Sequence, residues 1–193
     1  LRVYDNNKKP LDKKVLRGTP LKENEHILIS LIFIENEKGE YLIQKTSESK
    51  SGKYASTGGH VDLEEDSYHA IIRETKEELG VDITNDNIIY INTILLGVPF
   101  FDIYYLKKNI NIDKLTLQKE EVSSISYMSK EKIISLIEDD KSDYDRMILD
   151  GLYFYHRYSD KSMEKDDKLK ESSKLLIKKM IPQELQNIRK EYL

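Results

Sequence analysis

Cysteine is absent from the 193 residues, which removes disulfide frameworks, thiolate metal sites and cysteine nucleophiles together. That absence suits a reducing cytoplasm, the compartment expected here, without requiring one. Long apolar runs are missing too. The longest, ILISLIFI at residues 27–34, falls far short of the ~20 residues a helix needs to cross a bilayer and reads as a buried strand. No basic block occurs, and the formal net charge of −4 is spread with both signs mixed. Neither a specific nucleic acid nor a membrane surface is therefore expected as a partner. Internal repeats and low-complexity tracts are also lacking. The first residue is Leu1, which leaves room for a trimmed N-terminus that carried a targeting segment.

What is present suits one domain with an appendage: 38% hydrophobic residues beside 34% charged ones, enough for a sizeable core. VYDNNKKPLDKK reads as a small hairpin or arm turning at Asn6-Asn7 and Pro10. HILISLIFIENEKGEYLIQKTSE reads as two strands joined at a polar turn ending in Gly39. YASTGGHVDLEED reads as a short strand, then a glycine pair, then an acidic loop. A helix is expected from about Asp66 to Leu79, capped by Asp66 or Ser67 and stopped by Gly80. Two strands broken near Gly97-Val98-Pro99 follow, then a strand in EEVSSISYMS and a short helix in KEKIISLIEDD. Residues 1–160 are expected to form the domain, with an aromatic-rich helix at 143–158. Residues 161–193 are expected to form a helical extension whose narrow stripe of Leu175, Leu176, Met180 and Ile181 docks on the domain or on a second copy in a homodimer. Strands in hairpin-like pairs, with helices between the groups, favour an α/β fold with a mixed sheet.

The stretch RETKEELG carries the chemistry. On a helix, Glu74, Glu77 and Glu78 stand at i, i+3 and i+4, and each like-charged pair costs roughly 0.2–0.5 kcal/mol. Tyr68, Ile71, Ile72, Thr75 and Leu79 form the core stripe, while Ala70 lies one turn above the carboxylates and leaves space there. A solvated acidic face is one reading. A cluster of hard oxygen ligands for a divalent cation is the other, since a cation reverses the repulsion. Gly58-Gly59, at the end of the strand before the helix, favours the second by allowing close backbone approach.

GHVDLEEDSYHAIIRETKEELGV, from Gly59 to Val81, resembles the Nudix box. Gly59, Glu65, Arg73-Glu74, Glu77-Glu78 and Gly80 all stand at the family's spacing, and Thr75 departs from it where an aliphatic residue is usual. The resemblance implies an α/β/α sandwich around a mixed sheet and hydrolysis of a nucleoside diphosphate linked to another moiety, with Mg²⁺ or Mn²⁺. It implies Glu77 and Glu78 as metal ligands, helped by a backbone carbonyl of Gly58 or Gly59. Glu74 is implied as a further ligand or as general base, and Arg73 as the residue that orients the glutamates.

Glu65 is expected to orient the loop or to hold a second metal. Glu120 and Glu121 are candidates for an extra acidic residue outside the box. His60, in GGHVD, resembles the isopentenyl diphosphate isomerase branch, where such a histidine can bind metal. That enzyme needs a catalytic cysteine near the position Gly58 occupies, so isomerase activity is disfavoured. Lys45, Lys53 and Tyr54 precede the box and are candidate substrate contacts. Two other classes remain open: a nucleotide-binding regulatory module without turnover, and an interaction protein acting through its C-terminal helices. The intact set of Glu74, Glu77, Glu78 and Arg73 favours the enzyme.

Overall fold

A computed structural model of the chain describes residues 1–139. The expected helix at 143–158, the extension at 161–193 and the boundary between them lie outside the described residues. Among the described residues, nine strands occur in the order β1 (Arg2–Tyr4), β2 (Pro10–Lys14), β3 (Leu28–Glu35), β4 (Tyr41–Thr46), β5 (Tyr54–Ala55), β6 (Thr57–His60), β7 (Ile89–Leu95), β8 (Phe100–Lys107) and β9 (Val122–Met128). Helix α1 (Ser67–Leu79) separates β6 from β7, and α2 (Lys130–Glu138) follows β9. Among the described residues, no helix is long and apolar enough to cross a membrane.

The main sheet is mixed, in the order β5-β4-β3-β8-β7, with β6 added on β3 and β9 on β4. Its β3–β8 pair is parallel along the whole of β3, from Leu28↔Phe100 to Glu35↔Lys107. Alternate residues of β3 face opposite layers, as the two-residue period of a strand demands. Leu31 and Phe33 pack with Ile103, Tyr105 and Ile133 of α2. Ile32 and Ile34 pack with Tyr104, Leu106 and with Ile71 and Leu79 of α1. The result is an α/β/α sandwich with the sheet buried on both faces.

The turn at Gly39 does join β3 to β4, but these strands do not run on as a hairpin. Their pairing is limited to Glu35↔Tyr41. The edge of β3 that β4 vacates is taken by β6, from Ile29↔His60 to Ile32↔Thr57, while β4 turns to β9 over Tyr41↔Met128 to Thr46↔Val122. The glycine pair therefore lies within β6, not beyond the strand's end. This split sets a strand bearing two glycines directly before α1.

Both ends of α1 follow the sequence. Asp66 Oδ1 accepts the His69 N–H at 2.9 Å, and Gly80 stops the helix at φ 70° with its N–H on Lys76 O. Thr75 is fully buried, and its hydroxyl donates to Ile71 O at 2.7 Å, so a polar residue sits on the core stripe with its hydrogen bond made. Ala70 is not a gap above the carboxylates. It is fully buried against Leu28, Val61 and Phe100, where a small side chain lets the helix approach the sheet.

The N-terminal hairpin forms its own two-stranded sheet and lies on the domain as an arm. Val3 is completely buried, Tyr4 bridges to His26, and Arg2 Nη2 donates to Leu63 O at 2.7 Å. In the hairpin loop, Lys8 adopts φ 60° and pairs through Nζ with the buried Asp102 carboxylate of β8, also donating to Thr93 Oγ1 at 2.9 Å.

Candidate active site

Helix α1, strand β6 and the end of the arm enclose a cleft of about 390 Å³. Gly58, Gly59, His60, Arg73, Glu74, Glu77, Glu78 and Glu121 line it, together with Asp62, Gln118, Leu1 and Val15–Arg17. Most of the residues expected from the sequence therefore meet in one place.

Arg73 is the hub of its charge. Its Nε and Nη2 grip the two Glu65 oxygens at 3.1 and 2.6 Å. Nη1 is shared between Glu74 Oε1 at 2.9 Å and Glu77 Oε2 at 3.0 Å, while Nη2 also donates to His60 O at 3.1 Å. A planar fork with five donors suits this task as an ammonium would not. Partial burial raises the Glu65 pKa, but the hydrogen bonds from Arg73 and from the Asp62 N–H outweigh it and leave the group below its ordinary range. Glu65 thus sits behind the cleft with both carboxylate oxygens on Arg73.

The three glutamates of the helix do not share one solvent face. The Glu77 side chain is 51% exposed, whereas Glu78 is only 6% exposed. Glu78 Oε2 accepts from Gln44 Nε2 at 3.2 Å and from the Gly58 N–H at 3.2 Å. Both donors are neutral. Burial, then the nearby Glu74 charge, push its pKa up to about 8, against the lowering effect of those two donors. Glu74 is also raised, mainly by burial, although Arg73 pulls it down. Arg73 compensates three carboxylates, and among the described residues Glu78 has no cationic partner.

Gln44 was not evident from sequence. It sits 3% exposed on β4, facing the split between β4 and β6, and its Oε1 accepts from Thr57 Oγ1 at 3.3 Å. A buried glutamine in a strand of apolar residues was the available signal. Gln118 and the arm residues Leu1 and Val15–Arg17 were missed as well, because nothing local links them to the box. Glu121 reaches the cleft and pairs with Lys50 at 2.7 Å. Glu120 does not line it; the residue is exposed, and its carbonyl accepts from Ser47 Oγ. Lys45, Lys53 and Tyr54 do not line it either. Lys45 faces Glu48, and Tyr54 packs on the Phe33 cluster. The His60 pKa is lowered by burial first and by the Arg17 charge second, so its ring favours the neutral form.

The two glycines serve different ends. Gly58 has φ 154°, and a Cβ there would stand 2.1 Å from Ser30 O and 2.9 Å from Leu31 Cα, both fixed in β3. A Cβ on Gly59 would instead meet the Glu74 carboxylate at 2.4 Å, the far end of a side chain that can swing away. Gly58→Ala is expected to destabilise the fold by roughly 2–5 kcal/mol. Gly59→Ala is expected to keep stability within about 1 kcal/mol while displacing Glu74 and reducing activity. Urea unfolding beside a turnover assay separates the two; equal stability losses would contradict the assignment.

Among the described residues, no three acidic or histidine side chains are already drawn together as a metal cage. The donor set is nevertheless all hard oxygen, and Glu78 is a desolvated carboxylate whose partners are neutral. That chemistry fits a divalent cation of the magnesium type.

The NUDIX domain family matches residues 25–150 of the chain. A Nudix hydrolase of Listeria innocua, lin0387, is 35% identical over 138 residues, covering 69% of this chain and 82% of that protein. The Listeria monocytogenes protein lmo0368 is 33% identical over the same length and shares. In fold, the chain is similar to DR0079 from Deinococcus radiodurans, with a TM-score of 0.67 at 20% identity, covering 79% of this chain and 97% of that one.

Proposed function

The chain belongs to the Nudix hydrolase family, and on that premise we propose that it is a divalent-metal-dependent enzyme cleaving the diphosphate linkage of a nucleoside diphosphate derivative or a similar organic pyrophosphate. The observation that carries the metal dependence is Glu78, buried with no cationic partner among the described residues, beside a carboxylate wall that Arg73 only partly neutralises. Glu77 and Glu78, with a carbonyl of Gly58 or Gly59, would hold Mg²⁺ or Mn²⁺. When bound, such a cation supplies positive charge to the phosphate oxygens.

The chain's own residues account for the rest. Glu74 takes a proton from the attacking water; burial has raised its pKa, which makes it a better base than an ordinary exposed carboxylate. Its Oε1 is fixed by Arg73, so the group is aimed before substrate arrives. Arg73 is a positioning residue, tied to the domain through Glu65 and His60 O. Gly59 gives the Glu74 carboxylate its space. A soluble cytoplasmic setting and a small-molecule substrate accord with this chemistry.

The test is a panel of nucleoside diphosphate derivatives, assayed for phosphate and monophosphate release with Mg²⁺, with Mn²⁺ and with excess chelator. Turnover of at least one is expected with metal, with loss of all but a background rate on chelation. Undiminished turnover in chelator would overturn the proposal.

A further inference from the structure

The arm brings a cation to the cleft that the box does not use. Leu16 to Thr19 form a tight turn, closed by the Thr19 N–H on Leu16 O at 3.1 Å, with Gly18 at φ 83° supplying the left-handed position that a type II turn requires. This turn sets Leu16, 83% exposed, and Arg17 on the cleft rim. Its position is held from several sides. The Val15 N–H donates to Leu1 O at 3.0 Å, Arg2 bonds Leu63 O, and the hairpin loop is pinned by Lys8 on buried Asp102. Displacing the loop would leave the buried Asp102 charge uncompensated.

Among the described residues that line the cleft, the charges are unevenly matched. Asp62, Glu74, Glu77, Glu78 and Glu121 are acidic. Arg73 is committed to Glu65, Glu74 and Glu77, and Arg17 is the guanidinium left with no carboxylate of its own. An exposed leucine and an unpaired arginine at the tip of an anchored arm contribute nothing evident to folding. A diphosphate ester carries several negative oxygens, and an acidic wall repels whatever part of it the metal does not neutralise. A planar fork is well matched to such a phosphoryl group.

We infer that Arg17 is a specificity-determining residue, which donates hydrogen bonds to a phosphoryl group of the organic diphosphate at the arm side of the cleft. This rests on reading the cleft as a diphosphate-hydrolase site. The arm thereby selects substrates by an anion on the arm side, while the box carries the bond cleavage.

The experiment compares Arg17→Gln, Arg17→Lys and Lys14→Gln in the full chain. Lys14 is exposed on the same arm and outside the cleft, so its variant controls for general electrostatic attraction. KM and kcat are measured on the best substrate, and binding of inorganic pyrophosphate with Mg²⁺ is measured by calorimetry. Arg17→Gln is expected to raise KM and the pyrophosphate Kd about tenfold or more, with kcat within about twofold. Arg17→Lys should recover part of that loss, and Lys14→Gln should match wild type. An unchanged Arg17→Gln, or an equal loss in Lys14→Gln, overturns the inference and leaves the hydrolase reading standing. Wild-type protein that neither turns over any diphosphate nor binds pyrophosphate overturns both.

Discussion

Arg73→Ala is expected to lower kcat/KM by about 10–100-fold or more, the range typical when a residue that orients metal-binding carboxylates is lost. One guanidinium fixes Glu65, Glu74 and Glu77 and fastens them to the His60 carbonyl. Without it, Glu74 and Glu65, each about one-sixth exposed at the side chain or less, keep their burial and lose their compensating charge. A stability loss of a few kcal/mol, roughly that of breaking a partly buried ion-pair network, should accompany the kinetic defect. Arg73→Lys is the sharper variant. It retains the charge but cannot form five directed hydrogen bonds from one plane, so it should recover stability better than activity. Steady-state kinetics with a metal titration, beside urea unfolding, make the comparison. Wild-type activity in Arg73→Lys would mean that charge alone suffices and that the fork does not position Glu74.

Glu78→Gln is expected to strip the protein of most of its metal affinity and yet make the metal-free protein more stable at neutral and alkaline pH. Its folded pKa of about 8 lies well above the ordinary 4.5, chiefly through burial and then through Glu74, with Glu121 adding to the rise. The folded state therefore holds this proton longer than the unfolded state. Stability drawn from Glu78 is complete below the ordinary pKa and is lost as pH rises from about 4.5 through about 8. Glutamine keeps an oxygen to accept from Gln44 and Gly58, and it has no proton to lose. The difference between variant and wild type should thus grow across that window, by about a few kcal/mol at most. Taking the difference cancels the titration of distant groups common to both proteins. Chemical unfolding in chelator at several pH values measures it, with a metal titration in parallel. A variant less stable than wild type across the whole range would assign Glu78 a structural role instead.

Helix α1 was legible because its signals are local: Asp66 as cap, Gly80 as stop, and apolar residues at helical spacing all lie within one stretch. The box was legible for the same reason. Depth was not. Spacing alone puts Glu77 and Glu78 side by side, yet one faces solvent and the other is enclosed by Gln44 and Gly58, because the split between β3 and β4 brings β6 against the helix. The same split explains why Gln44 went unnoticed and why the glycine pair belongs to a strand. Of the adjacent Glu120 and Glu121, only the second reaches the cleft, and alternation along a chain cannot decide that without a register. Lys45, Lys53 and Tyr54 stand near the box in sequence but outside the cleft. Arg17, more distant in sequence, lines it with Leu1, Val15 and Leu16 of the arm.

The partnership of β3 with β8 bears on how the protein assembles. Gly58 is required because β6 lies on β3, where a Cβ would meet Ser30 O, and β3 is aligned along its full length with a parallel partner that enters the chain at Phe100. Parallel pairing across so long an intervening segment closes a large loop, which costs chain entropy before any contact repays it, and it is among the slower events in folding. The box itself is contiguous and could begin its helix early. Its carboxylates acquire their final depths only when β4 and β6 close on the helix, because Gln44 and Gly58 are what enclose Glu78. A peptide carrying Gly59 to Val81 would hold the motif's letters without the floor beneath them.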